Sequence, residues 1–220
     1  MKSFRAARML LLGCTFILSA VAQNWISVGV KGGIPLTDSF ADRTFDYAFY
    51  TVQLPFGPPS VVSQTTRVYS GSKYFVLGPT VEVQLPFGLA FEADGLYRPM
   101  EAKIQQPTSL ASFLLGLGST TLSNRIDTWE FPLLAKYRLS LPIMRPYFEA
   151  GPTFRTLSAS VAQHISGTGF SAGIGLETHI RRLRVAPEVR YTRWSSDASD
   201  TAPFYIPRRN QVELLLYLLY

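Results

Sequence analysis

The stretch Thr128–Leu139, TWEFPLLAKYRL, decides the fold. Trp129, Phe131, Leu133, Ala135 and Tyr137 fall on one parity, and Glu130, Leu134, Lys136 and Arg138 on the other. Successive side chains of a strand point to opposite faces, so this segment has one face free of charge and one that collects it. A barrel in water turns its charged parity outward. A barrel in lipid does the reverse, because a Lys or Arg facing hydrocarbon near the midplane costs roughly 2 to 4 kcal/mol.

Seven further segments divide in the same way. They run over Trp25–Ile34, Tyr74–Leu85, Leu89–Arg98, Arg145–Arg155, Gly169–Ile180, Leu183–Trp194 and a last strand closing at Tyr220. The inward parity collects Lys31, Glu82, Glu92, Asp94, Arg98, Glu130, Lys136, Arg138, Glu149, Arg155, Glu177, Glu188, Arg190 and Glu213, while Val, Leu, Phe, Tyr and Trp hold the outward one. With 16% of residues charged, about 36 outward positions would hold about six charges by chance, and they are read as holding none. In the last strand Leu215, Tyr217 and Leu219 blur the alternation.

The connections carry a second regularity. Short links follow the second, fourth and sixth strands (Pro86-Phe87-Gly88, Ser140–Met144 and Arg181-Arg182), and long ones follow the others. Asp38, Asp42, Asp46, Glu101, Asp127, Asp197 and Asp200 sit in the long ones or at their edges. Short periplasmic turns and long outer loops are the pattern of a bacterial outer-membrane barrel, with both termini periplasmic. Tyr97, Trp129, Tyr191 and Trp194 would then ring the outer interface, and Trp25, Tyr137 and Tyr220 the inner one. Pro79, Pro132, Pro152 and Pro187 each remove a ladder donor, which predicts bulges. Gln53–Gly57 repeats the QLPFG of Gln84–Gly88, and Tyr47–Leu54 with Val61–Tyr69 could pair as an extra hairpin, making ten strands. The favoured reading is an all-β, eight-stranded antiparallel up-and-down transmembrane β-barrel with a long first loop.

Residues 1–22 read as a cleaved export signal. Lys2, Arg5 and Arg8 give a basic start, Met9–Ala20 an apolar run too short to span a bilayer, and Ala20-Val21-Ala22 a small-residue cleavage site. Leu11-Leu12-Gly13-Cys14 is a weak lipoprotein-like alternative. Cleavage would leave 23–220 as one barrel domain without a thiol, excluding disulfides, cysteine nucleophiles and thiolate metal sites. The net charge of +6 would fall to +3 with the loss of those three basic residues. No basic helix or Lys run is present, so nucleic-acid binding has little support.

Gly78-Pro79-Thr80-Val81-Glu82-Val83, Trp129–Arg138, Arg145–Pro152 and the terminal Tyr220 together resemble small bacterial outer-membrane β-barrel proteins of the OmpA/OmpX-like and PorT-like families. The resemblance spans nearly the whole chain after the signal. It implies contact with outer-membrane lipid and insertion by the barrel-assembly machinery, which in such families reads the last strand and its terminal aromatic, here Tyr220.

An eight-stranded barrel is just wide enough for side chains to fill, so the inward charges are expected to plug it as ion pairs. That makes the function structural or surface-interacting rather than catalytic, with no cofactor or metal. A narrow porin-like path for ions or small solutes is the first alternative, suggested by eight acids against six bases. Lipid hydrolysis is the second, and would need His164 beside Ser158, Ser160 and Ser166, or His179 beside Glu177. No acid near His164 orients its imidazole, and two distant histidines make a poor metal site. Loops 36–71 and 100–124, the latter with Leu110, Phe113, Leu114, Leu115 and Leu117, are the expected contact surfaces for an extracellular partner. A soluble lipocalin-like carrier would require an apolar lumen.

Overall fold

Leu133 is 48% exposed and its neighbour Leu134 only 1%, and the same switch at every residue runs along strand after strand of the computed structural model. The structure describes residues 25–52, 60–107, 118–141, 144–157, 167–180, 183–195 and 207–220. The proposed signal, with Cys14, lies outside them, as do Gln53–Gly57, the apolar cluster Leu110–Leu117, Ser158, Ser160, His164, Ser166, Arg181, Arg182, Asp197 and Asp200.

The strands are β1 (Ile26–Pro35), β2 (Arg43–Val52), β3 (Ser60–Ser70), β4 (Val76–Gln84), β5 (Leu89–Asp94), β6 (Leu96–Pro107), β7 (Ser119–Arg138), β8 (Arg145–Leu157), β9 (Thr168–Ile180), β10 (Leu183–Trp194) and β11 (Asn210–Leu219). Each wall strand pairs antiparallel with its chain neighbours, and β1 pairs with both β4 and β11, which closes the sheet. β5 and β6 count once in that wall. The offset of Ala93 against Leu133 is the offset of Leu96 against Glu130, so the strand passes Gly95 without losing register. The result is a closed eight-stranded antiparallel up-and-down barrel, whose closure leaves no wall edge unpaired.

The outer connections differ from the expected loops. β6 and β7 continue as a pair to Pro107 and Ser119, so much of 100–124 is strand. Within 36–71, β2 and β3 form a hairpin, and β3 pairs with β6 from Arg67/Gln105 to Ser70/Ala102. The hairpin therefore exists, but it extends the sheet beyond the barrel end and adds no wall strand. Phe45, Tyr47, Phe49, Tyr50 and Val52 in β2, and Val61, Val62, Thr65, Thr66, Val68 and Tyr69 in β3, are β-branched and aromatic types that favour strands.

The expected proline bulges are absent. Offsets are identical on both sides of Pro79, Pro132, Pro152 and Pro187, and among the described residues the register shifts only between Ala48 and Tyr50. A proline's carbonyl can still accept, as Pro79 does from the Gly95 amide at 2.9 Å, so one missing donor leaves the ladder aligned. The Pro86–Gly88 turn is tight, with positive φ at Phe87 (64°) and Gly88 (77°).

Narrow barrels bend their strands sharply, and adjacent glycines of β1 show what that demands. A Cβ at Gly33 would overlap the backbone carbonyl of Leu214, whereas one at Gly32 would lie 3.1 Å from the movable Leu77 side chain. Gly33→Ala is therefore expected to lower unfolding stability by about 1–3 kcal/mol, and Gly32→Ala to change it by well under 1 kcal/mol. Urea titration of the folded barrel in detergent checks the pair.

Candidate functional site

Because side chains alternate across each wall strand, every second residue projects into a cylinder too narrow for bulk water. All fourteen inward charges named from the sequence are buried there, and Arg184 joins them. Arg184 shares parity with Ala186 and Glu188 and donates to Glu82 at 2.8 Å; that parity was the signal for it. The balance is thus eight acids to seven bases, which leaves less acidic excess for a cation path than the sequence count suggested.

The middle of the lumen is one connected network. Lys31 bonds Glu92 and lies 3.3 Å from Asp94 and 3.1 Å from Glu188. Lys136 bonds Glu92 and reaches Glu82 at 3.3 Å and Glu149 at 3.4 Å. Arg190 donates to Asp94 and Glu149 at 2.9 Å and to Glu188 at 2.8 Å, with Glu92 at 3.5 Å. The carboxylates of Glu92, Glu149 and Glu188 approach within 4.8 Å of one another, close enough to hold a cation. Lys31, Lys136 and Arg190 already supply positive charge there, so the arrangement is an ion-pair belt in chemistry as well as in geometry.

Room for these groups comes from small residues opposite. Tyr147 and Glu149 of β8 lie over Gly175 and Gly173 of β9; a Cβ at Gly175 would overlap the Tyr147 ring, and one at Gly173 would sit 3.0 Å from the Glu149 side chain. Toward the short-turn end, Tyr147, Ala186, Tyr217 and Leu219 pack together. Lys136 lies 4.4 Å and 4.6 Å from the Tyr147 and Tyr217 ring centres. Arg138 bonds Glu82 and donates to Glu177 at 2.8 Å, and Tyr217 donates to Glu177 at 3.0 Å. The blurred alternation of β11 therefore resolves into apolar and tyrosine residues on both faces, with Leu215, Tyr217 and Leu219 inside.

Toward the long-loop end, Arg98 donates to Glu213 at 2.6 Å and Gln211 at 2.8 Å, with Glu130 at 3.5 Å. Trp194 is a correction to the expected interface ring: it is 1% exposed, inside the lumen, donates to Gln211 at 2.8 Å, and has Arg155 stacked 3.9 Å over its ring. Arg193 instead takes the outward parity beyond Tyr191 and is exposed, so the outward face is not wholly without charge. Strand parity outweighs the interfacial preference of tryptophan here. Tyr97 and Trp129 do lie on the outer wall, ring centres 5.5 Å apart, with Phe75 6.2 Å from Tyr97.

His179, half exposed, has its Nε2 3.9 Å from Glu177 Oε1, beyond hydrogen-bond distance. Glu177 is committed to Arg138 and Tyr217, and no serine is bonded to the imidazole among the contacts described. Tyr220 is exposed and donates its amide to Val28 at 3.0 Å, tying the C-terminus to β1.

No protein-family model matches the chain, and no curated protein matches it. Among solved structures it is similar to the outer membrane protein OprG from Pseudomonas aeruginosa, at 15% identity over 89% of this chain and 93% of that one, with a TM-score of 0.47.

Outside the barrel, Glu101 holds the β3–β4 connection. Its carboxylate accepts from the Ser123 hydroxyl, from the Ser72 amide at 2.9 Å and from Tyr74 at 3.1 Å. These donors, Ser123 foremost, pull its pKa down to about 2. A carboxyl depressed on folding stabilises above its unfolded value of about 4.3, and that contribution fades as pH falls through about 2. Protection of the Ser72 amide from hydrogen exchange is expected to decline across this acid range in the native chain, and to be low and flat in Glu101→Gln. Inside the barrel, Arg190→Leu removes one cation from four carboxylates that would be left to Lys31 and Lys136, and is expected to cost about 3–5 kcal/mol. Arg67→Leu, which loses an exposed pair with Asp42 at 2.5 Å, should cost under about 1 kcal/mol in the same urea titration.

Proposed function

We propose that this chain is an integral outer-membrane β-barrel with a lumen closed by ion pairs, acting as a structural or surface-interaction protein without catalysis. The observation that carries this reading is the polarity of the wall. Phe75, Leu77, Val81, Phe91, Phe131, Leu133, Phe148, Ile174, Val189, Leu214, Leu216 and Leu218 are exposed around the outside, while Lys31, Glu82, Glu92, Lys136 and Arg190 are buried. In water this would expose an apolar surface far larger than a soluble protein tolerates. In hydrocarbon it leaves the backbone satisfied within the closed sheet and the charges paired on the axis.

In this reading the short turns are periplasmic and the β2–β3 and β6–β7 extension lies outside the cell, after export by a cleaved signal and insertion by the barrel-assembly machinery. The extension, built on strands rather than a free loop, is then the surface available to an extracellular partner. Its outer face mixes Asp42, Arg67, Lys103 and Arg125, both signs of charge, which gives no large field of one sign.

Membrane fractionation followed by electrophoresis with and without boiling tests the reading. The chain is expected in the outer-membrane fraction with a heat-dependent shift, and a heat-independent soluble band overturns it. Leu133→Arg should cost about 2–4 kcal/mol when unfolding is measured in lipid vesicles, while Thr121→Arg on the extension should change stability by under about 0.5 kcal/mol.

A further inference from the structure

Above the ion-pair belt the lumen changes character. Gln211 is wholly buried, and its side-chain oxygen accepts from both Arg98 Nη1 and Trp194 Nε1 at 2.8 Å. Both partners are donors, which fixes the amide orientation and turns Nε2 away from them. Gln211 Nε2, Arg98 Nε and Nη2, and Thr128 Oγ1 are buried without a hydrogen-bond partner among the described residues. Arg98 and Thr128 are cross-strand partners, so these atoms share one level of the barrel. The opposite wall carries a linked row of hydroxyls, Thr153 to Ser171 at 2.5 Å and Ser171 to Thr192 at 2.7 Å.

A strap closes this level from outside. Leu36 and Val212 are tied by backbone and Thr37 bonds of 2.8 to 3.0 Å, and Arg208 donates its amide to the Ser39 carbonyl at 2.9 Å. Phe40 bridges to Pro207 beside β11 and packs on Met100, Ala102 and Ile126 from β6 and β7 across the mouth. Asp38 of the strap lies 3.4 Å from Lys73 and 3.9 Å from Arg208.

We propose that the outer end of the lumen is a binding chamber for a small uncharged solute bearing carbonyl-type oxygens, with Phe40 as its cover. A surplus of buried N–H groups calls for an acceptor, since a buried donor left without one keeps its full desolvation penalty. The acceptor is neutral because Arg98 already lies 2.6 Å from Glu213 and 3.5 Å from Glu130, so an added anion would be a buried charge beside two carboxylates. The ion-pair belt below makes the chamber a dead end. The outward direction of its opening rests on the outer-membrane reading; the chamber itself does not.

The test uses the full chain with Trp25→Phe and Trp129→Phe, leaving Trp194 as the reporter, in detergent and in liposomes. Acrylamide, a neutral amide that quenches indole fluorescence, is the probe, with iodide and caesium as charged controls. Opening the cover by Phe40→Ala is expected to raise acrylamide quenching severalfold with a saturable component, leave iodide and caesium quenching flat, and lose the saturable component on adding Gln211→Leu. Ile126→Ala serves as a second opening variant, and the heat-dependent gel shift confirms that each is folded. Equal quenching by all three probes, or no rise with acrylamide in either folded variant, overturns the chamber. Liposome conductance should stay at the lipid baseline throughout; an ion current would contradict the plugged lumen instead.

Discussion

Buried charge demands partners, and that constraint organises this molecule. One parity of the wall strands is apolar and exposed, with Arg193 as an exception, and the other collects ionised side chains on the axis, where they must neutralise one another in a space with no bulk water. Burying a carboxylate or a guanidinium alone is costly, and burying them together is tolerable only with close geometry and filled hydrogen bonds. Lys31, Lys136 and Arg190 meet that demand by each serving three or four carboxylates.

The wall and the lumen are therefore one problem. Glycines at positions 173 and 175 leave the volume that Glu149 and Tyr147 occupy, and tyrosines 147 and 217 fill the gaps with rings whose faces receive Lys136. Below the belt, Arg138 and Arg184 converge on Glu82. Above it the pairing thins out into hydroxyls and donors without a partner among the described residues, and an apolar cluster around Phe40 takes the place of charge. Two kinds of packing thus follow one another along the lumen, ion pairing in the middle and apolar contacts around Phe40 at the long-loop end.

Alternation of period two made the barrel legible, since it assigns each residue of a strand to a face once one charge is placed. It named the fourteen buried charges and would have named Arg184 had the rule been carried to the end of its strand. It failed where a second preference was allowed to compete. Trp194 has the chemistry of an interfacial aromatic but an inward parity, and Leu215, Tyr217 and Leu219 blur the alternation because an interior this narrow also needs uncharged filler. The β2–β3 hairpin was visible as alternation but not as topology, because nothing in periodicity distinguishes a wall strand from one that pairs beyond the rim. The Phe40 cover left no periodic trace, being a single residue in a non-repeating strap.

Adjacent leucines give the sharpest measurement of the central claim. With methyl-labelled leucine in lipid nanodiscs, a nitroxide fixed midway along the acyl chains should broaden the signals of Leu133, Leu214, Leu216 and Leu218 and spare Leu134, Leu215 and Leu219. Broadening of Leu134 and Leu215 with sharp signals from Leu133 and Leu214, or no broadening at any of them, would contradict a wall that turns its apolar face to lipid and its charges to the axis.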